Sequence, residues 1–226
     1  MNFETHVTFD DVLLVPQYSD IKSRSEVTLK SEISEGLELR VPIISAPMDT
    51  VCGEMMAHRL SEFGALGIIH RYNTIEQQAK LVSKASKNGL QIVGAAIGIT
   101  GDYIERATAL VEAGAQVLCL DVAHGDHVLM HVGAHNIVDR FSSIAHVMAG
   151  NVATYTGALA LGHIGVDSVR VGIGGGSICS TRIQTGHGMP TLASVIECAR
   201  AKEKFPNLKI IADGGLKTSG DMVKAL

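Results

Sequence analysis

Short apolar, β-branched runs recur along this chain from Val41 onward, and stretches of helical periodicity separate them. Seven such runs stand out: Pro42–Ala46, Leu66–Ile69, Ile92–Ala96, Val117–Leu120, His146–Ala149, Ser168–Val171 and Ile210–Ala212. They lie about twenty to thirty residues apart, the size of a βα unit. The intervening segments Thr74–Lys87, Tyr103–Ala113, Ala153–Leu161 and Thr191–Lys204 read as helices. The runs are nearly all apolar, as strands buried on both faces are. Polar residues and glycines follow them: Met48-Asp49-Thr50, His70-Arg71-Tyr72, Asp121 to Gly125, Gly150-Asn151, Gly172 to Thr181 and Asp213-Gly214-Gly215. In a parallel βα barrel these positions share the face on which active sites are built.

The expected fold class is therefore α/β, a TIM (β/α)8 barrel with about seven of its eight βα units present. A doubly wound open sheet is the runner-up, but consecutive units without a topological break favour the barrel. Residues 1–226 read as a single barrel domain, with 1–40 as an extended lead-in. Within the lead-in, Thr8–Pro16 holds an apolar run closed by proline, and Val27–Leu39 alternates loosely, as a hairpin or edge strands do. Ser219–Leu226 reads as the start of a seventh helix.

Composition narrows the function classes. Hydrophobic residues make up 46% and aromatics only 4%, so the core is aliphatic, and 24 glycines fit many tight loops. A net charge of -4 without basic clusters gives no reason to expect nucleic-acid or membrane binding. The start of the chain lacks the basic and apolar regions of a signal peptide, and no segment reaches the length of a membrane span. Cys52, Cys119, Cys179 and Cys198 are far apart, which suits a reduced, cytoplasmic protein.

The richest stretch is Val169 to Arg182, where a β-branched run feeds four glycines in five positions and then a cysteine. Such a loop takes positive φ or lets a ligand approach closely. Its successive N–H groups can form an anion-binding concavity, and Ser177, Ser180 and Thr181 add donors. A cysteine at its rim, Cys179, sees a positive field that favours the thiolate. The competing reading is a flexible turn with an inert cysteine. Asp121 and Asp213 each end a buried strand, where a carboxylate either binds a ligand or satisfies loop amides. His124, His127, His131 and His135 lie three and four apart, but one helix face does not close a tetrahedral site, so they read as a polar helix flank. His70 and His124, just after strands, are better placed to touch a ligand. The glycine loop is neither a Walker A motif nor a dinucleotide fingerprint, so any nicotinamide cofactor binds on the barrel face.

At this point the chain resembles the IMP dehydrogenase and GMP reductase family over nearly its whole length. The similar segments are Thr8–Leu14, Ser45–Val51, Asp121–Gly125, Met148–Val152, Gly172–Arg182 and Ala212–Gly215. One departure is Gly175, where the family usually has proline; the expected consequence is a looser loop. The resemblance implies that Cys179 attacks C2 of the purine and that Thr181 helps move a proton to the leaving group. It implies that Ser177, Gly214 and Gly215 hold the 5′-phosphate, that Asp213 binds the ribose, and that Ser45 and Met48 line the purine pocket. It gives Asp121 to the nicotinamide cofactor, NADPH or alternatively NAD. It gives the carbonyls of Gly172, Gly174 and Cys179 to a monovalent cation, K+, and implies a homo-oligomer, a tetramer.

Of the family's two activities, reductive deamination of GMP to IMP is favoured over oxidation of IMP to XMP. Gly67–Arg71 runs straight into a helix with no room for the dehydrogenase's CBS pair, and Lys22–Val27 and Cys119–Ala123 are closer to the reductase, although His124 is dehydrogenase-like. A further reading is an inactive barrel fragment that binds purine nucleotide. With seven runs where a barrel needs eight, the expectation is a truncated form of a longer enzyme, poorly active alone.

Overall fold

The computed structural model describes residues 5–87 and 91–226; the first four residues of the expected lead-in lie outside the described residues. Its centre is a parallel sheet of six strands in sequence order: β3 (Gly67–Ile69), β4 (Val93–Ile97), β5 (Val117–Asp121), β6 (His146–Val152), β7 (Ser168–Val171) and β8 (Lys209–Ala212). They follow a hairpin, β1 (Ser31–Ser34) and β2 (Leu37–Leu39), paired antiparallel. Six of the seven expected runs form these strands. The first, Pro42–Ala46, is reduced to one parallel bridge, Ile44 with Leu66. Pro42 opens that run and Pro47 follows it, and neither can donate to a ladder. The Ser45 hydroxyl also takes the Ile68 N–H at 2.9 Å, a donor that a backbone carbonyl would otherwise use.

Helices alternate with the strands: α1 (Glu54–Glu62), α2 (Ile75–Ser86), α3 (Tyr103–Glu112), α4 (Val128–Phe141), α5 (Tyr155–Ile164), α6 (Thr181–Thr185), α7 (Thr191–Ala199) and α8 (Ser219–Ala225). Their starts carry the expected chemistry. Thr74 and Thr218 form capping boxes with Gln77 and Asp221, and Thr154 caps α5 through Gly157. The architecture is that of a partial (β/α)8 barrel, α/β with consecutive parallel units.

Strand periodicity sorts the side chains into two cores. Leu118, Leu120, Val147, Ala149, Val169 and Val171 pack outward against the helices. Ile68, Ala96, Val117, Cys119 and Met148 face the inside of the curl, where Ile33, Leu37 and Leu39 of the hairpin meet them. The same alternation sends Asp121, Gly150, Arg170 and Asp213 to the inner face at the carboxyl ends of their strands. At the amino ends it sends His146 and Ser168 inward, joined Nε2 to Oγ at 2.7 Å. A cavity of about 460 Å³ there is lined by the hairpin turn, Gln116, His146 and Asp167. In the lead-in's apolar run Phe9–Asp11 forms a 3-10 turn, and Leu13 is 85% exposed.

Candidate active site

The loop after β7 is shaped by glycine at two positions above all. Gly172 has φ of 143°, and a Cβ on it would fall on the Asp213 carbonyl oxygen. Gly174 has φ of 82°, and its Cβ would lie 3.3 Å from that of Arg182. The loop after β8 packs directly on this one: a Cβ on Gly214 would stand 3.2 Å from the Gly176 backbone, and one on Gly215 2.9 Å from the Gly175 carbonyl. Two glycine loops thus meet backbone to backbone, beside a cavity of about 610 Å³. Gly174, Ser177 and Gly215 line it, as do Arg182, Thr191 and Lys217. Arg182, Lys217 and loop amides around one cavity suit an anion, with Lys217 Nζ 3.8 Å from the Asp10 carboxylate at the rim. From the opposite side Thr8–Asp10 closes on it, anchored by Lys224 Nζ, which donates to the Phe9 carbonyl at 2.6 Å.

Cys179 is half-buried on the same loop, its N–H bonded to the Gly176 carbonyl at 3.1 Å. Hydrogen bonds from the Thr181 hydroxyl and backbone hold its thiol below the ordinary value, aided by Gly174 and the charge of Arg182. The other cysteines go the opposite way. Burial pushes Cys119 to about 11 and Cys198 to about 12, and it raises Cys52. Of the four cysteines, Cys179 alone has its thiol lowered.

The strand ends hold a buried ionic network. Arg170, its side chain 8% exposed, donates to Asp121 Oδ1 and to Asp213 Oδ2, each at 2.7 Å. Asn151 Nδ2 donates to the same Asp213 oxygen at 2.6 Å and to the Gly172 carbonyl at 2.9 Å. Burial opposes the charge on Arg170, but Cys119, Asp213 and Asp121 outweigh it and raise its pKa overall. Residue pairing explains the reach. Asp121 is paired with Gly150, and Gly150 with Arg170, so the three form one rung across β5, β6 and β7. A Cβ on Gly150 would lie 2.6 Å from that of Arg170. The bare glycine lets the guanidinium cross β6.

The structure brings Cys179, Thr181, Ser177, Gly214 and Gly215 together, with Asp121 and Asp213 joined through Arg170. Ser45 and Met48 do not line the 610 Å³ cavity, and the Ser45 hydroxyl is used on the Ile68 N–H. Two of the three carbonyls expected to hold a cation already accept hydrogen bonds within the chain. Gly174's accepts from the Arg182 guanidinium, whose charge repels a cation, and Gly172's accepts from Asn151. A Cβ on Gly175, the position where the resemblance expects proline, would fall on the Thr191 hydroxyl. The α4 histidines have local partners. His127 accepts from the Leu129 N–H, His131 meets Asp126 at 3.1 Å, and His135 meets Asp139 at 3.0 Å. His70 accepts from the Tyr72 N–H, and His124 is exposed.

Sequence reasoning passed over Arg170, Asn151, Thr191 and Lys217. A signal existed for the first: Arg170 is the one charged residue inside an otherwise apolar run, and such a charge is stable there only with partners. Among the described residues no helix is long and apolar enough to cross a membrane.

The family model described as IMP dehydrogenase / GMP reductase domain matches residues 6–226. The inosine-5′-monophosphate dehydrogenase of Nitrosopumilus maritimus is 30% identical over all of this chain and 73% of that relative. The Cryptosporidium parvum protein of the same name is 36% identical, over all of this chain and 65% of its own length. The GMP reductase of Leishmania major is 28% identical over 97% of this chain and 72% of its own.

Proposed function

This chain belongs to the IMP dehydrogenase / GMP reductase family, and we propose that it reduces GMP to IMP with release of ammonia, through covalent attack by Cys179 on C2 of the purine. The observation that carries this reading is the Cys179 thiol, lowered by Thr181 on a glycine loop beside an anion-suited cavity. Phosphate held by Ser177 and the amides of Gly214 and Gly215, with Lys217 nearby, fixes the nucleotide. Asp213 has one oxygen committed to Arg170 and Asn151, which leaves the other for ribose hydroxyls. Ser45 and Met48 would border the purine from the loop after the first run.

Chemistry then follows from what these groups do. The Cys179 thiolate adds to C2, which weakens the bond to the exocyclic amine. Thr181, already hydrogen-bonded to the sulfur, relays a proton from water to that amine, so that it leaves as ammonia and the hydroxyl is restored. Bound NADPH supplies the hydride that replaces it at C2. Restoring the aromatic ring expels Cys179 as thiolate. Asp121 suits the cofactor because it spends one oxygen on Arg170 while its side chain stays 21% exposed. No step is assigned to a monovalent cation, since Arg182 and Asn151 already donate to two of the three carbonyls concerned. A homo-oligomer and a cytoplasmic setting belong to this same reading.

The second reading, IMP oxidation to XMP with NAD, is favoured by the 36% identity to a protein named as the dehydrogenase. The direct run from β3 into α2 does not choose between the two. The N. maritimus dehydrogenase and the L. major reductase align over 349 and 354 positions, against 226 residues here. One experiment separates the readings: absorbance at 340 nm with GMP and NADPH, and separately with IMP and NAD. Loss of absorbance in the first mixture supports the reductase. A gain in the second supports the dehydrogenase, and no change in either leaves a nucleotide-binding barrel. Mass spectrometry with GMP adds an independent check, since an adduct that survives Cys179→Ala removes the nucleophile assignment.

A further inference from the structure

The two carboxylates that the proposed function gives to different ligands are tied to a single guanidinium. Arg170 bonds Asp121 through Nη1 and Asp213 through Nη2, at 2.7 Å each. The arginine side chain is 8% exposed, while Asp121 and Asp213 are 21% and 26% exposed. A triad that merely held strands together would bury its carboxylates as well. Here the cation is sealed, and each anion keeps an open side toward the strand ends.

We propose that Arg170 is a positioning residue that couples the two ligand sites, so that nucleotide at Asp213 tightens dinucleotide at Asp121, and the reverse. This rests on the reading of Asp213 and Asp121 as the ligand-facing carboxylates. The guanidinium is a planar, rigid fork, so its two arms do not move independently. A ligand hydroxyl that fixes Asp213 fixes the plane of the fork and with it the Asp121 carboxylate. The second ligand then meets an ordered acceptor and does not bear that ordering cost again. Linkage makes the effect reciprocal. Gly150 is part of the device, because a side chain there would meet Arg170 at its Cβ and block the crossing to Asp121. Asn151 donates to the same Asp213 oxygen as Arg170, which leaves the other oxygen free for the ligand.

The test is calorimetry in the Cys179→Ala background, where no turnover intervenes. IMP and NADP+ (and NAD in a parallel series) are titrated alone and then each with the other saturating. The expected result is that each tightens the other by one common factor, roughly 5–150-fold. Arg170→Lys keeps the charge but not the fork, and it should bring that factor to about one while each ligand alone still binds. Binding of both ligands with a factor of one before the substitution, or an unchanged factor after it, overturns the coupling alone. Binding of neither ligand overturns the functional reading and the coupling with it. If Arg170→Lys does not fold, Asp121→Asn carries the test. It should weaken IMP several-fold, although Asp121 faces the other ligand; unchanged IMP affinity overturns the proposal.

Discussion

Gly175 and Thr191 compete for one space: a Cβ on Gly175 would fall on Thr191 Oγ1. That hydroxyl is buried and has no hydrogen-bond partner among the described residues. Overpacking of this kind costs roughly 1–3 kcal/mol. Gly175→Ala is expected to destabilise by that amount, and Thr191→Ala to restore part of the loss. Urea denaturation of the two single variants and the double variant measures this. Strict additivity would mean that the residues do not share the space.

Cys179 should be the cysteine that reacts first with iodoacetamide. Its pKa is lowered, so thiolate is present at pH values where the buried Cys119 and Cys198 remain protonated. Peptide mapping after a short exposure near neutral pH identifies the labelled site. Thr181→Val removes the hydroxyl bond and should shift the pH midpoint of labelling upward. A midpoint that stays in place would take Thr181 out of the thiolate's surroundings.

Asp213→Ala takes away one of the two carboxylates of Arg170 and the side-chain acceptor of Asn151. Breaking a buried pair in this way is strongly destabilising, on the order of 3–5 kcal/mol. The variant should therefore lose stability as well as nucleotide affinity. Denaturant midpoints and calorimetry with IMP read the two effects separately. A variant as stable as the parent would show that Arg170 is held by Asp121 alone.

His146 makes stability depend on pH. Burial pulls its pKa down to about 4 from the ordinary 6.5, with Asp167 opposing and Lys209 assisting. Between those two values the unfolded chain binds a proton that the folded chain refuses. Stability should therefore fall as pH drops from about 6.5 toward 4, and the contribution should level off below that. His146→Gln should flatten this segment of the denaturation profile. An unchanged slope would mean that the imidazole finds a compensating partner when charged.

The sequence pattern reached the fold where both faces of a strand are apolar. Ser168–Val171 is read and found with the same bounds, because β-branched residues in a short run between turns have few alternatives. It erred where the backbone lacks donors or burial. Pro42–Ala46 opens on Pro42 and is followed by Pro47, and it yields one bridge. Helix α1 went unread because Ala57 is its sole buried residue, too little for a periodic stripe. In the site, Cys179, Asp121 and Asp213 were visible as chemistry at strand ends. Arg170 stood out only as a charge within an apolar run, because its role depends on a rung that spans three strands. The pairing of Gly150 between Asp121 and Arg170 is tertiary information.

The hairpin inside the curl has a kinetic consequence. Ile33, Leu37 and Leu39 leave the ribosome early, yet they share a core with Val117, Cys119 and Met148. Loop closure on that scale must precede any reward from the contact. The hairpin therefore waits, with its apolar face exposed, until β5 and β6 exist. Stopped-flow refolding should show the interior of the curl sealing last, after the helices have docked on the outer face. A segment that precedes the whole sheet in sequence thus acts as its final stopper.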